Sequence, residues 1–214
     1  MELTSSFSMQ TAPAFRLAKV AEADFPTLWG HFRIFGFEGH FDAGVEEAVV
    51  LKMGDLGEKA GEPAPLVRVH SECLTGDVFH SLRCDCRAQL ELALQQIAAE
   101  GRGLLIYEHQ EGRGIGLLNK LRAYELQDAG LDTIEANEKL GFASDLRSYT
   151  LPAQIVRYFG LSEIRLMSNN PQKLDAMETA GVRVTERVPS LVPEVASRQT
   201  YLDTKRDRMG HFLG

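Results

Sequence analysis

Between residues 65 and 188 short apolar runs alternate with amphipathic stretches, and that alternation restricts the fold more than any other feature of the chain. PLVRVH (65–70), GLLIYE (103–108), IRLMS (164–168) and VRVTERV (182–188) read as strands. Between them lie helical segments. RAQLELALQQIAAEG (87–101) places Leu90, Ala93, Leu94 and Ile97 on one face and stops at Gly101. IGLLNKLRAYELQDAG (115–130) is a second helix, closed by Gly130, and a third falls near 150–159. PQKLDAMETAG (171–181) has Pro171 in its first turn, and 198–213 looks helical. Upstream, FRLAKVAE, GHFRIFGFE and EEAVVLKM are strands separated by the turns DFPTLWG and EGHFDAG, and GDLGEKAGEPAP (54–65) is a loop. The expected fold is α/β with mixed α+β layers: a β-rich N-terminal part packed on a strand–helix alternating core. Residues 1–14, rich in Ser, Thr and Ala, are expected to be a disordered tail. No repeat or linker interrupts the rest, so 15–214 is expected to be a single domain.

At 214 residues the chain can bury a core without staples. A formal charge of −7 argues against a nucleic-acid or anionic-membrane partner, since both need a broad basic field. MELTSSFSMQTAPAF lacks the apolar centre of a secretory leader, and no apolar run has membrane-spanning length. A cytoplasmic location is the expectation, and there thiols stay reduced.

That matters because all three cysteines, Cys73, Cys84 and Cys86, fall in HSECLTGDVFHSLRCDC (70–86). Three is an odd number for disulfides. Three soft thiolates suit zinc, with a histidine (His70 or His80) or water as fourth ligand. Three buried structural cysteines are the alternative. HQEGRGIGLLNK (109–120) is a glycine-rich strand-to-helix turn whose backbone can approach an anion, with Arg113 as a clamp. SNNPQK (168–173) is a capped helix start that offers Ser168 and Lys173 to a second anionic group. Asp145 and Arg147 suit a surface ion pair or a cap. Tyr124 shares a helix face with Leu117 and Leu121, which favours a core position. H-x-E beside cysteines also occurs in zinc nucleobase deaminases, but those need a P-C-x-x-C segment that this chain lacks.

Taken in order, HSECLTGD, RCDC, QEGRGIGL, DTIEAN (132–137), NNPQK and YLDTK–MGH (201–211) closely resemble GTP cyclohydrolase II, the zinc enzyme that opens riboflavin biosynthesis. The resemblance runs from about Phe15 to the C-terminus. It implies hydrolysis of GTP to 2,5-diamino-6-(5-phosphoribosylamino)pyrimidin-4(3H)-one, formate and diphosphate. It implies one Zn²⁺ per subunit on Cys73, Cys84 and Cys86 with water completing the shell, Mg²⁺ with the triphosphate, and a homodimer. GTP contacts carry over onto Arg68, Val69, His70, Ser71, Glu72, Gln89, Glu111, Gly112, Arg113, Thr133, Ser168 and Lys173. Glu111 would read the guanine edge, while Arg113 and Lys173 suit phosphate.

Asp145 and Arg147 match the family's proton acceptor and nucleophile, and Tyr124 a tyrosine of the ring-opening half. A guanidinium is always protonated, so charge stabilisation at the α-phosphate is the alternative role for Arg147. Two departures stand out: Ser168 replaces a usual Thr, and Arg87 a usual Gly. If residue 87 needs positive φ, arginine costs about 1 kcal/mol there. At 214 residues a fused synthase domain, as in longer relatives, is not expected. A paralogue that stops at a formylated intermediate and a non-enzymatic zinc protein are the competing readings. The combination of Tyr124, Asp145, Arg147 and Lys173 with the cysteines disfavours both.

Overall fold

Strand β4 (Leu66–Ser71) is buried along nearly its whole length, and the rest of the architecture follows from what covers it. The structure is a computed structural model that describes residues 15–57, 61–143, 145–192, 206, 208 and 210–212. The tail expected at 1–14 lies outside the described residues. So does most of the helix expected at 198–213, of which residues 206 and 208 are helical.

β1 (Arg16–Thr27), β2 (Gly30–Phe41) and β3 (Gly44–Met53) form an antiparallel meander. β5 (Gly103–Glu108), β4, β6 (Glu163–Met167) and β7 (Arg183–Val188) run parallel. β3 pairs antiparallel with β5, so both halves share one seven-stranded sheet of order β1-β2-β3-β5-β4-β6-β7. The N-terminal part thus joins the core edge to edge through hydrogen bonds.

Two expected turns are shorter than the sequence suggests. Asp24 to Thr27 continue β1, and His40 and Phe41 continue β2. Pro26 pairs with His31 on the edge strand, where its missing N–H breaks no ladder. Gly30 and Gly44 take the positive φ that these tight reversals require.

Alternation along the strands assigns the two faces. Leu66, Leu105 and Met167 pack against Ala93, Leu94 and Ile97 of α2 (Cys86–Glu100), which ends at Gly101 in a left-handed cap. On the other face Val67, Val69, Leu104 and Ile106 meet Leu151, Ile155 and Val156 of α5 (Thr150–Tyr158) and Met177 of α6 (Pro171–Thr179). Phe35 and Phe37 extend that second core beneath the meander. Both faces of the parallel strands are covered, which accounts for their continuous apolar runs.

The short α1 (Leu74–Asp77) follows β4. α3 (Leu117–Asp128) and α4 (Thr133–Lys139) follow β5. The buried side of α3 is Lys120 and Ala123, while Leu118 and Leu121 are exposed. The Leu117–Leu121–Tyr124 face is therefore not core, because α3 walls a polar cavity rather than the sheet. Among the described residues no helix is long and apolar enough to cross a membrane.

The chain leaves β4 toward β5 on one side, while β6 lies on the other. Such a reversal opens a crevice at the carboxyl ends of parallel strands.

Candidate active site and metal centre

A cavity of about 430 Å³ occupies that crevice. Its walls come from the segments that follow β4, β5 and β6, together with α3 and the 145–149 loop. Two clusters of chemistry face each other across it.

The first is the thiol cluster. The three cysteine sulfurs lie within 4.8 Å of one another, and Cys73 Sγ is 3.7 Å from Cys84 Sγ. Four-coordinate zinc with Zn–S bonds of about 2.3 Å sets its sulfurs about 3.8 Å apart, so the cluster fits that ion. The backbone makes room: a Cβ on Gly76 would lie 2.7 Å from Cys84 Sγ and 3.2 Å from Cys73 Sγ. Neither nearby histidine completes the set. His70 Nε2 sits on Asp77 at 3.1 Å, and His80 is exposed. The group thus has three protein ligands among the described residues, the pattern of a site with an open position.

Cys73 has the most thiolate character. Cys84 and Cys86 donate to it and Lys120 attracts it, so its pKa falls below the usual thiol value. Cys84, as donor, is pushed up to about 11. Lys120 Nζ lies 3.2 Å from Cys73 Sγ and 2.7 Å from Glu111 Oε1. Burial disfavours the ammonium, but Cys73 and Glu111 outweigh it and raise its pKa. Glu111 is internally engaged: Oε1 also accepts from Gly112 N, and Oε2 accepts from Leu74 N. One Oε2 lone pair remains for a ligand.

The turn that carries Glu111 needs left-handed backbone at Gly112 (φ 63°) and at Arg113 (φ 62°). A non-glycine residue held there stores backbone strain. Arg113 O accepts from Leu146 N at 3.0 Å, which fastens the turn to the 145–149 loop.

Tyr124 is half-buried at the cavity wall, with its hydroxyl 3.4 Å from Thr75 Oγ1 and Arg83 over its ring. Burial raises its pKa, so the phenol keeps its proton.

The second cluster surrounds Ser71 at the end of β4. Ser71 Oγ donates to Glu108 Oε1 at 2.7 Å and accepts from Arg147 Nη1 at 3.3 Å and Lys173 Nζ at 3.5 Å. Arg147 makes a two-pronged pair with Asp145: Nε to Oδ1 at 2.9 Å and Nη2 to Oδ2 at 2.5 Å. The pair is largely buried, unlike the surface pair the sequence suggests. Burial opposes both charges, but their mutual attraction prevails, raising Arg147 and lowering Asp145. Lys173, buried on α6, donates to Val69 O at 2.8 Å, and burial lowers its pKa. Burial raises that of Glu108.

Between the clusters, Arg68 reaches Met167 O and Gln89. His70, Glu72, Thr133 and Ser168 also line the cavity. Asn170 caps α6 by accepting from Gln172 N, so SNNPQK is both a well-capped helix start and a cavity wall. The Val69 side chain lies in the core and its carbonyl serves Lys173; Asp145 reaches the cavity only through Arg147. Arg87 occupies the first turn of α2 without positive φ, so arginine needs no strain there. It donates to Asp77 O at 2.7 Å.

Sequence reasoning missed Lys120, Asp77 and Glu108. Asp77 accepts from Cys73 N, Tyr107 OH and the His70 ring and so fixes the cysteine loop to the sheet. Each of the three is a charged residue inside a quoted motif or at the end of an apolar strand, and that is the signal that could have found them.

A family profile described as GTP cyclohydrolase II matches residues 18–189. The GTP cyclohydrolase-2 of Escherichia coli (strain SMS-3-5 / SECEC) is 52% identical over 202 residues, spanning 92% of this chain and 98% of that protein. The GTP cyclohydrolase-2 of Escherichia coli (strain SE11) matches to the same extent. Among solved structures, RibBX of A. baumannii, a two-domain 3,4-dihydroxy-2-butanone 4-phosphate synthase, aligns with a TM-score of 0.41 and 17% identity. The alignment covers 84% of this chain and 40% of that one. With half of its residues identical along nearly the whole length of such relatives, the chain belongs to the GTP cyclohydrolase II family.

Proposed function

We propose that the protein hydrolyses GTP to 2,5-diamino-6-(5-phosphoribosylamino)pyrimidin-4(3H)-one, formate and diphosphate, the first step of riboflavin biosynthesis. The observation that carries the reading is the shared cavity, with three clustered sulfurs on one wall and Arg147 and Lys173 on the other. A nucleotide spanning it would place its base by the sulfurs and its phosphates by the cations.

Cys73, Cys84 and Cys86 would hold one Zn²⁺ per subunit. When bound, zinc supplies Lewis acidity that brings a water's pKa near neutral, which suits attack at C8 of guanine. Tyr124 keeps a phenolic proton on that side and can donate it as the ring opens. Glu111, fixed by Lys120 and two backbone N–H groups, offers its remaining lone pair to the guanine edge. Arg68, His70, Glu72, Gln89, Gly112 and Thr133 frame the nucleoside. On the far side Arg113, Arg147, Ser168 and Lys173 bind phosphate oxygens, and Asp145 holds the Arg147 plane in one orientation.

The reading includes Mg²⁺ on the triphosphate, a homodimer, one catalytic domain over 15–214 and a cytoplasmic location. One sheet that, among the described residues, joins both halves supports the domain, and three unpaired thiols suit a reducing compartment.

The test is incubation with GTP and Mg²⁺, with formate and diphosphate assayed separately. Both should appear in equal amounts. Zinc-loaded protein that releases neither would overturn the reading.

A further inference from the structure

We infer that His211 is a further substrate-contacting residue, which donates a ring N–H to the outer phosphates of GTP at the rim of the cavity. The inference rests on the proposed reading and deepens it.

Three observations carry it. His211 is partly buried and lines the cavity. Its neighbour Phe212 donates its backbone N–H to Asn169 O at 2.9 Å, which sets these residues against the turn from β6 into α6. That turn carries Ser168 and leads to Lys173, two groups that the proposed reading gives to phosphate.

Second, the attachment is made by buried groups. Asn169 is locked to the segment after β7 by two hydrogen bonds: Nδ2 donates to Ser190 O at 2.9 Å, and Oδ1 accepts from Ser190 N at 3.0 Å. Its side chain is thereby committed, and its carbonyl holds Phe212. The Arg187 guanidinium lies 4.9 Å from the centre of the Phe212 ring and also donates to Ser168 O at 3.4 Å. One cation thus grips both Phe212 and the cavity wall.

Third, Arg208 pairs with Asp132, the residue that caps α4 just ahead of Thr133. Asp132 also lines the cavity, where its carboxylate would repel a phosphate. The pairing offsets that charge and ties residue 208 to a second wall. Both partners are partly exposed, so this is the solvent side of the cavity. His211 falls between two moorings, at 208 and 212, on different elements of the site.

A nucleotide with its base by the sulfurs and its α-phosphate by Arg147 carries its β- and γ-phosphates farther along the cavity. Arg147 and Lys173 converge on Ser71 at the end of β4, which suits them to the inner phosphate. The outer oxygens need donors from another element, and a residue moored at the rim supplies one. An imidazole keeps at least one N–H whether or not it is charged, so the contact needs no change of protonation.

The experiment uses the zinc-loaded full chain and two probes, diphosphate with Mg²⁺ and GMP, titrated by calorimetry beside GTP turnover. His211→Ala should bind diphosphate about 10-fold or more weakly, the size of one hydrogen bond to a charged group. GMP lacks the outer phosphates, so its affinity should stay within about twofold. KM for GTP should rise with the diphosphate Kd, kcat should fall by less, and zinc content should match the parent. His211→Gln keeps an N–H donor and should recover most of the diphosphate affinity. Unchanged diphosphate binding in His211→Ala, an equal loss for GMP, or no recovery in His211→Gln would each overturn the inference, as would a parent protein that binds no diphosphate. A parent that binds both probes but releases neither formate nor diphosphate from GTP removes the proposed reaction instead, and the two failures are thus distinguished.

Discussion

Lys120 Nζ lies between Cys73 Sγ, at 3.2 Å, and Glu111 Oε1, at 2.7 Å, so one buried ammonium ties the thiol cluster to the glycine-rich turn. Three thiolates around a divalent cation leave a net negative charge in a largely buried place. A cation beside one sulfur offsets that charge, and it also fixes the carboxylate that would meet the base.

The first prediction follows from this bridge. Lys120→Met keeps most of the side-chain volume and removes the charge. Partners that hold a metal's ligands contribute about 10- to 100-fold to metal affinity. Lys120→Met should therefore lose zinc to a competing chelator at a concentration about 10- to 100-fold lower than the parent protein does. An unchanged chelator curve would show that Lys120 serves Glu111 alone.

Removing a ligand and crowding the ligands should differ in degree. Cys84→Ser should bind little or no zinc and lose formate release, as metal analysis and a formate assay would show. Gly76→Ala places a carbon 2.7 Å from Cys84 Sγ, so the sulfur or the α1 backbone must move. It should fold, since its backbone is helical, but hold zinc more weakly than the parent. Full zinc occupancy in Cys84→Ser would remove the three-thiolate site.

How much of this was readable in the sequence depends on what positions each residue. β5 spans residues 103–108, the run read as a strand, because both of its faces are apolar. β1 and β2 run past their expected ends, because Pro26 and Phe41 keep pairing where local turn chemistry suggests a stop. The cysteine cluster was legible from spacing and redox argument alone. Lys120 was not: within LLNKLRAYEL it looks like an exposed helix lysine, and only the fold turns that face toward Cys73. Glu108 was hidden for a related reason, since its meaning lies in Ser71, which comes from another strand. The Asp145–Arg147 pair was visible, but its burial was not.

The phosphate side should be separable from the metal side. Arg147→Ala removes a charged donor aimed at Ser71, where the proposed reading puts the phosphates, and leaves the sulfurs untouched. Losing one such donor typically slows a reaction about 10²- to 10³-fold. Diphosphate release should fall by that factor while zinc content stays at the parent value. Arg147→Lys should recover only part of the loss, because an ammonium cannot hold Asp145 with two prongs. Normal diphosphate release in Arg147→Ala would make the residue purely structural.

Tyr124 offers the sharpest separation of packing from chemistry. Its ring is half-buried at the cavity wall, beneath the Arg83 guanidinium 4.6 Å away, and among the described residues its hydroxyl meets Thr75 Oγ1, at 3.4 Å. That contact is long and replaceable, so the oxygen contributes little to stability. Tyr124→Phe keeps the ring and should cost at most about 1 kcal/mol, the size of one net hydrogen bond, in a denaturant titration. A proton-transfer group is worth far more to the reaction, about 10²-fold or greater. Formate release should fall by that factor, with zinc retained and diphosphate release less affected, so that a formylated pyrimidine nucleotide accumulates. Chromatography of a timed reaction would reveal it. Equal slowing of both products would point to a general distortion of the cavity. Unchanged formate release would leave Tyr124 as a wall residue whose hydroxyl touches no reacting atom.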